Sequence, residues 1–137
     1  MPAAIATVLC IDDSDVGLTL LSDLLEFNGY SVLTADSGAD GLKLIAKQRV
    51  DAVVLDYHMP DMDGGEVARE IRRSWPEVPI MLFTGCVDEV PEAVQNAVDS
   101  ALSKDEPVDV LLRQLRSLTA GIKKPSRLLE RIRLRLA

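Results

Sequence analysis

Val53-Val54-Leu55-Asp56-Tyr57-His58-Met59-Pro60-Asp61-Met62-Asp63-Gly64 runs from an apolar segment into one acid and then into a loop built from proline, aspartate and glycine. A short unbroken apolar run suits a strand buried on both faces, as in a parallel sheet. The pattern recurs on either side. Residues 5–11 are mostly apolar and end at Asp12-Asp13, Pro79-Ile80-Met81-Leu82-Phe83 ends at Thr84, and Ala101-Leu102-Ser103 ends at Lys104. Strands are expected near 5–11, 31–34, 51–56, 79–83 and 98–102.

Between these segments the apolar period changes from two to about 3.6. Ser14 or Asp15 caps a first helix in which Val16, Leu20, Leu21, Leu24 and Leu25 recur at helical spacing until Asn28-Gly29 stops it. A second helix is expected from Gly38 or Ala39 to about Lys47, and a third from Gly64 to Trp75, where Pro76 blocks continuation. Segment 88–98 offers little apolar face, and Pro91 can open only a short helix there. A last helix is expected from about Pro107 to Leu118, with Val110, Leu111, Leu112, Leu115 and Leu118. Strands alternating with helices indicate βαβ units and an α/β fold.

The residues that close the strands carry chemistry. Open α/β sheets bind ligands at the carboxyl ends of their strands, where this chain places Asp12, Asp13, Asp56, Thr84 and Lys104. Three nearby carboxylates repel one another, and a hard cation such as Mg²⁺, which takes carboxylate, carbonyl and water oxygens, relieves that repulsion. An ionised aspartate needs no general base to attack a phosphoryl group. The inventory suits phosphoryl transfer to Asp56. Taken singly, Asp12 or Asp13 could cap a helix, Thr84 could end a strand and Lys104 could be a solvated charge. Met59-Pro60 and Gly64 shape the loop, and the side chain of His58 either faces solvent or bears on the chemistry.

The chain resembles the receiver domain of two-component response regulators over roughly residues 5–118. The resemblance rests on Asp12-Asp13, on the stretch from Asp56 to Gly64, on Thr84-Gly85 and on Lys104, all in family order. It implies a flavodoxin-like, doubly wound sheet of five parallel strands in the order 2-1-3-4-5. It also implies Asp56 as phosphoacceptor, Mg²⁺ bound by Asp13 and Asp56 directly, by Asp12 mostly through water and by the backbone carbonyl of His58. Thr84 and Lys104 would contact the phosphoryl group, and a histidine kinase or phosphotransfer protein would donate it. The expected role is a phosphorylation-controlled signalling switch that acts on a downstream protein and catalyses only its own aspartyl phosphorylation and dephosphorylation.

Three departures from the family pattern bear on output. Asp105, not proline, follows Lys104; Ala101 stands where many receivers carry a tyrosine or phenylalanine; and the interval from Thr84 to Lys104 is short. A non-switching interaction module or scaffold is therefore the alternative. A Mg²⁺-dependent phosphohydrolase fits less well, because His58 stands where such enzymes usually carry a second aspartate.

The composition, 47% hydrophobic and 27% charged over 137 residues, is that of a globular domain. No apolar run approaches the ~20 residues of a membrane span, and the amino terminus lacks a signal-peptide pattern, so a cytoplasmic protein is expected. Cys10 and Cys86 have no metal-ligand spacing, and one histidine excludes a multi-histidine centre. Residues 1–120 are expected to form the receiver domain and 121–137 a basic tail. That tail carries Lys123, Lys124, Arg127, Arg131, Arg133 and Arg135 against Glu130, a net +5, so the total of −7 leaves −12 on the rest. In a helix near 125–136, Leu128, Leu129, Ile132 and Leu136 share one face. Such a helix would dock on the body or on a second copy as a homodimer; binding to a membrane surface or nucleic acid is the alternative.

Overall fold

Alternation along each central strand divides the core in two. In the computed structural model, which describes residues 4–120, β1 (Thr7–Ile11) sends Val8 and Cys10 to one face of the sheet and Leu9 and Ile11 to the other. β3 (Ala52–Leu55) and β4 (Ile80–Thr84) alternate in the same way, so both faces of the sheet are apolar and need covering. With β2 (Ser31–Ala35) and β5 (Ser100–Ser103) they form a five-stranded parallel sheet in the order β2-β1-β3-β4-β5. This is the expected fold and strand order.

One face is covered by α1 (Asp15–Phe27) and α5 (Val108–Ala120), through Leu18, Leu21, Leu25, Leu111 and Leu115. The other is covered by α2 (Gly38–Lys47), α3 (Gly64–Ser74) and the short α4 (Glu92–Ala97), with Ile45, Val67, Ala68 and Ile71 buried and Val94 partly so. The helix starts have local causes. The side chains of Ser14, Ser37 and Asp63 each accept a hydrogen bond from the backbone N–H three residues on, at 3.1, 3.1 and 2.9 Å. Trp75 closes α3 just before Pro76, as expected.

Three details differ from the sequence reading. β5 begins at Ser100 rather than 98, because Asp99 is occupied at the edge of the sheet: its carboxylate accepts from the Ile80 N–H at 2.8 Å and pairs with Arg72. Arg72 also donates to the carbonyls of Ala97, Pro76 and Val78, fastening α3 to the end of α4 and the start of β4. On α1, Val16 and Leu20 belong to the expected apolar pattern yet are 71% and 66% exposed, because the apolar arc is wider than the strip that meets the sheet. Segment 88–98 contains a 3-10 turn (Val87–Glu89) before α4, and no residue of either is buried. Among the described residues no helix is long and apolar enough to cross a membrane. The amphipathic helix expected near 125–136 lies outside the described residues.

Candidate functional site

Strand order decides where the acids meet. β1 lies between β2 and β3, so the connections leaving β1 and β3 run to opposite faces and leave a crevice at the carboxyl ends of those strands. Into it project Asp12 and Asp13, just past β1, and Asp56, just past β3. One carboxylate oxygen from each lies within 4.8 Å of the others. The backbone fixes two of these positions: the Asp12 N–H donates to Ala35 O at 3.1 Å and the Asp56 N–H to Ile11 O at 2.9 Å. Asp12 and Asp56 are buried, whereas Asp13 is exposed.

Lys104 reaches the same point from the end of β5. Its N–H donates to Thr84 O at 2.9 Å, which carries the β4–β5 pairing one residue further, and its Nζ lies 2.7 Å from Asp12 Oδ2 and 3.5 Å from Asp56 Oδ2. Burial alone would lower the pKa of this ammonium. The hydrogen bond to Asp12 and the charges of Asp56 and Asp12 outweigh that and hold it above the usual lysine value. For Asp56 the balance falls the other way. Burial pushes its carboxyl above the usual range, Lys104 opposes this, Asp12 adds to it, and the Tyr57 N–H, at 2.8 Å from Asp56 Oδ1, offsets a small part. Asp56 is thus a carboxylate whose charge the protein does not fully compensate.

Thr84 is 1% exposed, and its Oγ1 is buried without a hydrogen-bond partner. It stands close enough to Asp56 to help stabilise the carboxylate slightly, but not in hydrogen-bond geometry. An orphaned buried hydroxyl costs about 1–3 kcal/mol. Such a group beside uncompensated carboxylates fits a site completed by a cation and an oxyanion, and the all-oxygen donor set suits a hard cation.

The loop after Asp56 shapes the mouth. Pro60 leads into a tight turn in which Asp61 has φ 69° and the Met62 N–H donates to Pro60 O at 2.8 Å. Aspartate is one of the few residues with a side chain that enters this left-handed region readily. The Gly64 N–H donates to Tyr57 O at 2.8 Å, so α3 starts directly against the backbone leaving Asp56. A Cβ at Gly64 would lie 2.5 Å from Asp56 O and 2.8 Å from Tyr57 Cα, both main-chain atoms that cannot turn aside. Gly64→Ala is therefore expected to destabilise the fold by about 1–3 kcal/mol, as overpacking does, which denaturant unfolding would measure.

His58 lines the mouth of the crevice together with Asp13, Tyr57 and Asp63. Its Nε2 pairs with Glu89 Oε2 at 3.2 Å, both side chains are more than half exposed, and its ring stands edge-on to Tyr57. All five expected strand-end residues therefore converge, while the side chain of His58 stands at the rim. Cys10 is inert, its thiol pushed up to about 12 by burial and by Asp12; Cys86 is exposed.

The sequence model of the response regulator receiver domain matches residues 8–116. The chain belongs to the response regulator receiver family. The receiver is 37% identical over 112 residues to the transcriptional regulatory protein GlrR of Escherichia coli K12, a match covering 80% of this chain and 25% of GlrR. It is 39% identical over 113 residues to the response regulator MprA of Mycobacterium sp. strain KMS, covering 81% of this chain and 49% of MprA. The chain thus spans between a quarter and a half of these curated relatives. Among solved structures, the response regulator TrrA of Thermotoga maritima in complex with Mg²⁺-BeF superposes with a TM-score of 0.79 at 31% identity, covering 82% of this chain and 98% of that one. A chain from the complex of histidine kinase ThkA with TrrA gives 0.77 at 31% identity, covering 82% of this chain and 97% of that one.

Proposed function

We propose that this receiver accepts a phosphoryl group on Asp56 from a histidine kinase or phosphotransfer protein, with Mg²⁺ held by Asp12, Asp13, Asp56 and the backbone carbonyl of His58. The observation that carries this reading is the meeting of three carboxylates and the Lys104 ammonium beside the partnerless Thr84 hydroxyl. The Mg²⁺-BeF and kinase complexes of TrrA support it by analogy. Bound Mg²⁺ would supply charge neutralisation for the clustered carboxylates and for the phosphoryl oxygens.

The chain's own residues do the rest. An oxygen of Asp56, already ionised, attacks the phosphorus of a phosphohistidine. The P–N bond breaks, and the departing imidazole keeps its electron pair and takes a proton. Because charge in such a transition state spreads over the phosphoryl oxygens, positioned donors give most of the acceleration. Lys104 lies close enough to offer its ammonium, and Thr84 Oγ1 gains there the hydrogen bond that it lacks. The receiver would act in the cytoplasm and pass its state to a downstream protein, with residues 121–137 as a separate basic tail. Incubation with a small phosphodonor and Mg²⁺, followed by intact-mass measurement, should show one acid-stable, base-labile phosphoryl group. A chain that stays unlabelled under conditions that label another receiver would refute the reading.

One observation favours a second reading, a receiver that serves as a constitutive scaffold. Ala101, paired in register with Leu82 and packed against the α3 face of the core, has no ring to rotate on activation. Any response must then pass through the backbone between Thr84 and Lys104. Thr84→Ala should still accept phosphate yet lose most of the change in amide exchange that a phosphate mimic induces over 84–104. Identical exchange with and without the mimic in the unmodified protein would favour the scaffold.

A further inference from the structure

The residue after Lys104 is an aspartate where the family pattern has proline, and that departure supplies a backbone donor that proline lacks. The Asp105 N–H donates to Ser103 Oγ at 3.1 Å, and the Glu106 N–H donates to Ser103 O, also at 3.1 Å. Both oxygens of one serine thus close the turn that carries Lys104, the hydroxyl reaching the residue two positions on and the carbonyl the residue three positions on. The peptide bond between Lys104 and Asp105 is trans. On the other side the Lys104 N–H donates to Thr84 O at 2.9 Å, with Ser103 paired in register with Thr84. The main chain is therefore fixed on both sides of the Lys104 Cα.

Fixing it matters because Lys104 acts far from its own strand. β5 is an edge strand with β4 and β3 between it and β1, so at about 4.8 Å per strand roughly 14 Å separates the strand that carries Lys104 from the one that ends at Asp12. The two side chains must reach toward each other to close the 2.7 Å contact between Lys104 Nζ and Asp12 Oδ2, which leaves little slack in either. A small rotation of the backbone at Lys104 is then amplified along the flexible four-carbon stem into a larger displacement of Nζ. We propose that Ser103 is a positioning residue for phosphoryl acceptance, holding the turn over residues 103–106 so that Lys104 Nζ stays between Asp12 and Asp56. The proposal rests on the reading that Asp56 accepts the phosphoryl group beside Lys104. Ser103 acts through Lys104 and does not itself touch the phosphoryl group. Its hydroxyl and carbonyl give the turn a fixed shape in a chain that has no proline to impose one.

The test compares the full chain with its Ser103→Ala and Ser103→Thr variants. At saturating Mg²⁺ and a fixed concentration of acetyl phosphate, Ser103→Ala should label Asp56 about two- to tenfold more slowly, the equivalent of one net hydrogen bond. Ser103→Thr keeps the hydroxyl oxygen and should restore the rate. A second measurement needs neither phosphodonor nor metal. Lys104 in Ser103→Ala should be acylated faster by an N-hydroxysuccinimide ester, by a similar factor, because its ammonium spends less time bound to Asp12. The exposed Lys43 and Lys47 on α2 should react as before, and peptide mass reads all three lysines in one digest. Ser103→Thr should return Lys104 to its protected state. Unchanged labelling by Ser103→Ala, or slower labelling with Lys104 as protected as in the unmodified chain, would overturn the proposal. An unmodified chain that takes no phosphoryl group would instead sink the reading of Asp56 as acceptor, while the acylation of Lys104 would still report whether Ser103 holds the ammonium in place.

Discussion

Asp56→Asn is expected to abolish phosphoryl acceptance and, in the metal-free protein, to raise the melting temperature. The first effect follows because an amide oxygen does not replace an ionised carboxylate as nucleophile; intact mass after incubation with phosphodonor and Mg²⁺ should show no addition. The second follows from the electrostatics of the same side chain. Unfolded, Asp56 ionises near pH 3.9, whereas in the fold burial pushes its carboxyl higher, with Lys104 only partly opposing and Asp12 adding to the shift. Between those two values the folded state holds more protons than the unfolded state, so stability falls as pH rises through that interval. Above it the ionised carboxylate carries its full penalty, which a neutral amide avoids. The variant should melt a few degrees higher at pH 7, since about 1 kcal/mol corresponds to roughly 3–6 °C in a domain of this size. The difference should shrink as pH falls toward the unfolded value. Mg²⁺ should raise the melting temperature of the unmodified protein more than that of the variant, because a ligand stabilises the state that binds it. A variant that melts lower at neutral pH would mean that Lys104 and the Tyr57 N–H compensate the charge after all.

The opposing signs of those two effects explain why the site could be read from sequence when other features could not. A residue that weakens the fold has to stand out locally: a lone acid closing Val53-Val54-Leu55, or two acids after residues 5–11, makes no sense as packing. Parallel topology then dictates that strand-end residues meet, so the convergence of Asp12, Asp13, Asp56, Thr84 and Lys104 was legible before any coordinate. Long-range contacts were not. The start of β5 depends on Arg72, 27 residues from Asp99 in sequence, and no local pattern reports such a pairing. Likewise the period of α1 shows which residues are apolar but not how wide a strip the sheet will cover, and so Val16 and Leu20 read as core while lying on the surface. Asp63 as the cap of α3 follows a recognisable rule, an acid three residues before Glu66, and the signal was present in the sequence though masked by the glycines that follow. The left-handed Asp61 carries no such signal.

Asp13→Asn is expected to weaken Mg²⁺ binding by about tenfold or more while leaving the metal-free protein as stable as before. The three acids differ in what else holds them. Asp12 is committed to the Lys104 ammonium at 2.7 Å and to the Ser14 N–H at 2.9 Å. Asp56 accepts from Tyr57 and is buried, so its replacement changes stability and chemistry together. Asp13 is exposed, and its carboxylate lies within 4.8 Å of the other two without being buried among them. Its removal therefore subtracts a negative charge and a candidate ligand from the site with little disturbance to the core. Calorimetric titration should show the lower affinity, and thermal melting in the presence of a chelator should show no change. Labelling of Asp56 should slow at Mg²⁺ concentrations that saturate the unmodified protein and recover when Mg²⁺ is raised, which separates lost metal affinity from lost nucleophile. Equal affinity in the variant would remove Asp13 from the metal site and leave the cation, if bound, to the two buried carboxylates that Lys104 already contacts.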